Sequence, residues 1–275
     1  MADGKQHGAD TLWLMNELTG EEHPTRRFSN RVQHYAKFRP GYPSELVGLL
    51  GREVELTPAS VLADVGSGTG ILSELFLRNR NTVYGVEPNE PMREAAERLL
   101  SRWDQFRSVA GTAEETTLPS ASVDGVLAAQ AFHWFDQENA AREFRRIARP
   151  GGFVALIWNA RLTTASPFMG EYERIVHDFG SEFARSGREL VADSVLRSVF
   201  GRSLGKSVLP NHQDLDWEGL RGRILSASYV PNEGQPGFEP MLAALRLAFD
   251  AHQHDGIVRM EYETRVYHGR LAEFR

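Results

Sequence analysis

The chain of 275 residues is 41% hydrophobic and 25% charged, enough for one sizeable core and outside the range of disordered or fibrous chains. It has no cysteine, which removes disulfides, thiolate nucleophiles and Cys-ligated zinc together, and it fits a reducing compartment. A formal net charge of −6 argues against a nucleic-acid partner.

Residues 1–27 show no sustained period and read as a flexible arm; the polar start MADGKQHGAD is unlike a signal peptide. From residue 28 the pattern turns helical. A helix over Ser29–Phe38 stops at Arg39-Pro40-Gly41-Tyr42-Pro43, and Ser44 is placed to cap the next, with Leu46, Val47 and Leu50 inward. Strands are expected at Ser60–Val65, Thr82–Val86, Phe106–Ala110, Ser122–Ala129 and Phe153–Trp158. Helices are expected between them at Ile71–Arg78, after Asn89, and after Asp136. The Asn89 helix carries Met92, Ala95, Ala96, Leu99, Leu100 and Trp103 at helical spacing. Such alternation implies a parallel sheet with helices on both faces, an α/β fold. The rhythm then breaks: helical stretches are expected near Pro167–Phe179, Glu189–Phe200, Trp217–Ala227 and Phe238–Ala251, with strands near Ser207–Leu215 and Ile257–Leu271. Residues 28–275 thus read as one domain, with 28–54 and 160–250 contributing a cap over the ligand edge. The apolar run Phe153–Trp158 is far too short to span a bilayer, so a soluble, cytoplasmic protein without a membrane partner is expected.

The sharpest motif is Asp64-Val-Gly66-Ser67-Gly68-Thr-Gly70 between the first strand and its helix. Glycines serve where backbone turns tightly and lies against a ligand. Glu87, roughly twenty residues on at the end of the second strand, can accept hydrogen bonds from ribose hydroxyls. A dinucleotide fingerprint would need glycine where Ile71 stands, and no P-loop lysine follows. An acid beside the loop disfavours a pyrophosphate and suits a zwitterionic, cationic ligand such as S-adenosylmethionine.

The segments VLADVGSGTGILSE, VYGVEPNEPM, AGTAEETTLPSASVDGVLAAQAFHWFD and RIARPGGFVALIWNAR resemble the successive motifs of class I S-adenosylmethionine-dependent methyltransferases. They are similar to the small-molecule branch that includes methyltransferase type 11 and trans-aconitate methyltransferase-like proteins. The resemblance covers about residues 28–160. It implies a Rossmann-like, mostly parallel seven-stranded sheet with a helical cap, S-adenosylmethionine as cofactor, and methyl transfer to a small molecule. By the same resemblance, Asp64, Gly66, Ser67, Gly68 and Gly70 would line the methionine moiety, and Glu87 would hold the ribose. Pro88, Asn89 and Met92 would lie near the adenine, Ala113 and Glu114 at its edge, and Gln130 beside the methionine moiety. Tyr35 and Arg39 lie in a segment that folds over the cofactor in such enzymes.

Methyl transfer from a sulfonium needs alignment and water exclusion, and a base only when the acceptor carries a proton. His133, just past the fourth strand, is the candidate catalytic base, with a packed, pocket-shaping histidine as the plainer reading. Phe132 is a candidate cation–π partner for the sulfonium, or plain core. Trp134, Trp158 and Arg161 are substrate candidates at the ligand edge, Arg161 suiting an acidic acceptor or being merely a surface residue. Tyr172 and Tyr229 fall in the cap. His252 and His254 read as a helix terminus; no metal is implied. The expected reaction is methylation at oxygen, a carboxylate or hydroxyl. The alternatives are a non-catalytic S-adenosylmethionine-binding protein, an NAD-dependent oxidoreductase on a similar fold, or methylation of RNA or protein.

Overall fold

The computed structural model describes residues 32–180 and 191–270, apart from the side chains of residues 33–35. The element order is α1 (Val32–Phe38), α2 (Glu45–Val54), β1 (Val61–Val65), α3 (Ile71–Arg78), β2 (Thr82–Val86), α4 (Glu90–Leu99), β3 (Phe106–Val109), β4 (Val123–Ala129), α5 (Gln137–Ile147), β5 (Ala148–Arg161), α6 (Pro167–Phe179), α7 (Asp193–Phe200), β6 (Gly205–Leu215), α8 (Trp217–Leu225), α9 (Phe238–His252) and β7 (Val258–Arg270). The seven strands form one sheet in the order β3-β2-β1-β4-β5-β7-β6. Pairings from β3 to β5 are parallel, and β7 runs antiparallel to both β5 and β6. The strand order reverses between β1 and β4, the point at which open α/β sheets leave a ligand crevice.

Alternation along the strands sorts the core. Ala63, Val65, Val126, Ala128, Val154 and Leu156 face α5 and α7, whereas Leu62, Leu127, Ala155 and Ile157 face α2 and α3. Both faces are dry, as a parallel sheet requires. β5 and β7 run on past the parallel strands: β4 ends opposite Ile157, but β5 keeps pairing with β7 to Arg161↔Tyr262. Against this extension α6, α8 and α9 build a second apolar cluster around Met169, Tyr172, Leu220, Met241, Leu245 and Met260. Within 160–250, therefore, β6 is an edge strand of the main sheet and α7 packs Leu196, Val199 and Phe200 on the main core. No helix among the described residues is long and apolar enough to cross a membrane.

Capping follows the sequence at Asn89 and Asp136, whose side chains accept from the Met92 and Asn139 amides (3.0 and 3.1 Å). Ser44 does not cap α2: its Oγ donates to Glu45 (3.1 Å), and the Leu46 amide bonds the Pro43 carbonyl instead. Leu99, expected inward, is 54% exposed. The helix ends there, and Leu100 takes the inward position against Gly70. The fifth strand begins at Ala148, directly after α5, rather than at Phe153.

The N-terminal segment is tied down across the sheet's ligand edge. α1 packs against both α4 and α8, and Gly222 admits the Phe38 ring so closely that a Cβ there would sit 2.2 Å from it. Gly41 oxygen accepts from Asn159 Nδ2 and Asn211 Nδ2 (3.0 and 2.9 Å), and Arg39 Nη2 donates to Ser226 oxygen (3.0 Å).

Candidate functional site

Hydrogen bonds between neighbouring strands build the glycine loop. The Gly66 and Ser67 amides donate to Val86 oxygen (2.9 and 3.2 Å), and the Gly68 amide donates to Glu87 Oε2 (2.9 Å). Glu87 Oε1 accepts from the Asn89 amide (2.9 Å), so one carboxylate fastens the loop to the start of α4. Gly66 has φ +70, and a Cβ there would lie 2.7 Å from Ala131 Cβ; only glycine lets the loop cross the end of β4 this closely. Asp64 is 1% exposed and accepts from Ser73 Oγ at 2.6 Å. Burial, opposed by the Ser73 hydroxyl and helped by the Glu87 charge, pushes its carboxyl up to about 7. Burial also raises Glu87, against the two amides that favour its charged form.

A cavity of about 770 Å³ opens between this loop and the cap. Its lining includes Asp64, Gly66, Ser67 and Ile71 from the first crossover, Gln130, His133 and Trp134 from the end of β4, and Arg161 from β5. Arg39 and Tyr42 close it from the N-terminal segment, and Arg223 and Tyr229 from the cap. Gln130 holds a left-handed conformation (φ +56), with its amide on Ile157 oxygen and its Nε2 on Asn159 oxygen (2.9 and 3.2 Å). Such a non-glycine residue persists where its surroundings over-determine it, which is common at ligand sites.

Other expected site residues lie outside this lining. Gly68 and Gly70 complete the turn with φ +56 and +83. Asn89 caps α4, Met92 is 3% exposed, and Pro88 is half-buried. Ala113 belongs to the main core, and Glu114 Oε1 accepts from the Asp136 amide (2.9 Å), anchoring the loop after β3 to the start of α5. Phe132, offered as a cation–π partner, is instead fully buried, edge-on to Phe135 and tilted on Phe144. Trp158, offered as a substrate contact, is also fully buried: its Nε1–H points to His133 Nδ1 at 3.4 Å and its ring meets Tyr267 edge-on. Trp158 lies on the strand face that alternation turns inward, and Phe132 opens a one-turn 3-10 helix after β4 with its ring in the main core. The Tyr35 side chain lies outside the described residues.

The Trp158 contact bears on His133. An indole N–H only donates, so His133 Nδ1 must accept, which leaves the ring proton on Nε2. A base would need the opposite tautomer or a broken contact.

Sequence reasoning missed Arg223 and Glu173. Glu173 Oε2 accepts from Arg161 Nε and Nη2 (3.1 and 3.0 Å), and Arg161 Nη1 donates to Tyr229 Oη (2.9 Å). The signal for Arg223 was an arginine between Leu220 and Ile224 on the inward side of α8, where apolar residues belong.

The sequence family described as a methyltransferase domain matches residues 63–156, from β1 through β5. A methyltransferase of Mycobacterium tuberculosis without assigned substrate is 38% identical over 136 residues, 49% of this chain and 52% of that protein. A methyltransferase-like protein of Schizosaccharomyces pombe is 29% identical over 168 residues, 58% of this chain and 64% of its own. The chain thus spans about half the length of the curated relatives it matches first. Among solved structures, a candidate type II methyltransferase from Anaeromyxobacter dehalogenans has a TM-score of 0.63 and 27% identity, covering 85% of this chain and 98% of its own.

Proposed function

Residues 63–156 form a methyltransferase domain of class I type, and on that premise we propose that the protein transfers a methyl group from S-adenosylmethionine to an oxygen of a small molecule. The observation that carries the reading is the single cavity joining the Asp64–Gly66–Ser67 loop to Gln130, His133 and Arg161. The residues fit the cofactor. Buried Asp64 and Glu87 suit a cationic nucleoside and its ribose hydroxyls, and Gly66 lets the loop lie against Ala131 and Phe135 at the wall of the cavity.

Bound S-adenosylmethionine supplies an electrophilic methyl on a sulfonium. In this reading Asp64, Gly66 and Ser67 hold the methionine end, and Glu87 takes the ribose while still fastening Gly68. Gln130, rigid in its left-handed conformation, borders the reacting space. His133 would donate an Nε2 hydrogen bond to the acceptor rather than remove its proton, a role suited to an oxygen that arrives already ionised. The N-terminal segment and the cap exclude water.

Calorimetric titration with S-adenosylhomocysteine, with NAD in a parallel cell, tests the cofactor assignment. Saturable micromolar binding of the first alone is expected, followed by methyl incorporation in a screen of small acids and alcohols. Binding of NAD instead overturns the reading, and cofactor binding without turnover across the screen favours a non-catalytic role.

A further inference from the structure

At the ligand edge, β5, β7 and β6 set three polar side chains against the N-terminal segment. Asn159 pairs with Thr264, and two residues along β7 Tyr262 pairs with Asn211, so Asn159, Thr264 and Asn211 share one face of the sheet. Thr264, fully buried, donates its hydroxyl to Asn159 Oδ1 (2.6 Å). The His212 amide donates to Asn211 Oδ1 (2.9 Å). Both side-chain amides are thereby turned the same way, and both Nδ2 atoms donate to the Gly41 carbonyl (3.0 and 2.9 Å). Asn211 Nδ2 also reaches Asn159 Oδ1 (3.1 Å). A flipped amide would set oxygen against the Gly41 oxygen.

Asn159 meets the cavity from two directions. Gly41 lies within the stretch whose Arg39, Pro40 and Tyr42 line the cavity. Tyr42 also packs on the cluster that holds Leu72, another lining residue, at the start of α3. The Asn159 carbonyl accepts from Nε2 of Gln130 (3.2 Å), which borders the reacting space in its left-handed conformation. The start of the stretch is tied separately, by Gln213 Nε2 to Phe38 oxygen (3.2 Å) and Arg39 Nη2 to Ser226 oxygen (3.0 Å). Gly41 itself is exposed, and a Cβ there would meet nothing within 4 Å. Hydrogen bonds, rather than packing, therefore fix this point of the chain.

We infer that Asn159 is a positioning residue for the cofactor: oriented by Thr264 and seconded by Asn211, it holds the Arg39–Tyr42 stretch and Gln130 as two walls of the cofactor's end of the cavity. The inference rests on the S-adenosylmethionine reading of that cavity. Asn159 lines the cavity, whereas Thr264 and Asn211 do not, so these two reach a bound ligand only through Asn159 and Gly41. Water can replace an asparagine donor at an exposed carbonyl, so the hold bears on how long the cofactor stays more than on folding.

The test is stopped-flow binding of S-adenosylhomocysteine to the full chain, followed by tryptophan fluorescence, in Thr264→Val, Asn211→Ala and Asn159→Asp. Thr264→Val keeps the side-chain shape and removes the hydroxyl that orients Asn159. Asn159→Asp turns an acceptor toward the Gly41 carbonyl. S-adenosylhomocysteine should dissociate about three- to tenfold faster from the first two variants, the loss of one hydrogen bond, and at least about tenfold faster from the third. Association should be no slower than in the parent, and hydrogen exchange over residues 38–42 should rise in each variant. A merely structural role would lower the melting temperature or the fraction of protein that binds, with both rate constants of the folded fraction unchanged. That result in Thr264→Val and Asn211→Ala overturns the inference and leaves the cofactor reading standing. Faster dissociation confined to Asn159→Asp also overturns it, because Asn159 would then be a direct ligand contact. Val208→Thr, on the opposite, exposed face of β6, should bind as the parent does, and an equal acceleration there overturns the inference too. If Asn159→Asp does not fold, the other two variants carry the test. No binding of S-adenosylhomocysteine by the unaltered protein overturns the inference and the methyltransferase reading together.

Discussion

The two ends of the cavity are built by opposite means. At the glycine-loop end, bonds close over short separations: Glu87 reaches the Gly68 amide across 19 residues and the Asn89 amide across 2. Its charges are acids, and its donors are backbone amides of the turns after β1 and β2, joined by the Ser73 hydroxyl. At the cap end, Arg161 meets Tyr229 across 68 residues and Arg39 meets the Ser226 carbonyl across 187. Its charges are arginines and Glu173, and the arginines are held by groups from α6, β7, the end of α8 and the loop after it. A backbone-built end can keep one ligand while a side-chain-built end changes with the acceptor.

The sharpest way to break this comparison is at the backbone-built end. Gly66→Val would force a β-branched residue into φ +70 and drive a Cβ to 2.7 Å from Ala131 Cβ. It should destabilise the fold by about 2–5 kcal/mol, strain and overpacking together, and lower Tm by roughly 5–15 °C. A variant melting like the parent would mean that the loop is not packed on the end of β4. Next in size, Glu87→Ala should weaken S-adenosylhomocysteine at least about tenfold by removing a charged acceptor. Arg223→Met should leave that affinity alone. Equal losses in the two variants would erase the division between the ends.

The same division explains what the sequence disclosed. Each strand and helix of the first half could be read because the period, the Asn89 and Asp136 caps and the glycine turn are local signals, and local bonds satisfy them. Phe132 and Trp158 were misplaced for a related reason. A residue near the end of an expected strand looks like a site residue, but β5 runs on to Arg161 and keeps Trp158 on its inward face, and Phe132 sits in a one-turn 3-10 helix that packs its ring on Phe135 and Phe144. Arg223 was invisible because its neighbours Tyr262 and Ser226 come together only through the antiparallel β5–β7 extension and the turn of α8. Glu114, at the right distance from the third strand, is spent on the Asp136 amide, a bond that no sequence motif announces.

Proton linkage sharpens the contrast by a smaller amount. Asp64 titrates at about 7 in the folded chain against an ordinary 3.8, so between these values the folded state holds a proton that the unfolded chain has released. Its contribution to stability therefore declines as pH rises through that window, the direction expected for a raised carboxyl. A cationic cofactor pulls the other way and favours the ionised acid. Affinity for S-adenosylmethionine should then rise by up to about tenfold from about pH 6 to about pH 8, and Asp64→Asn should flatten that dependence. A parent titration that is flat over this range would place the Asp64 carboxyl outside the cofactor's reach.

The smallest expected effect lies where the two ends meet. Trp158 Nε1–H is the donor that fixes the His133 tautomer, at a length of 3.4 Å that marks a weak bond. Trp158→Phe keeps an aromatic ring against Tyr267 but removes the donor, so His133 can carry its proton on either nitrogen. If His133 donates Nε2–H to an ionised acceptor, the variant should lose about two- to tenfold in kcat, the worth of one modest hydrogen bond, with KM little changed. His133→Gln, which retains an N–H donor, should then keep more activity than His133→Leu. A base mechanism makes the opposite prediction for the pair, because glutamine cannot accept a proton at neutral pH and both variants would fall together. The ranking of the two His133 variants thus decides whether the acceptor meets a donor or a base, and with it whether the oxygen arrives charged.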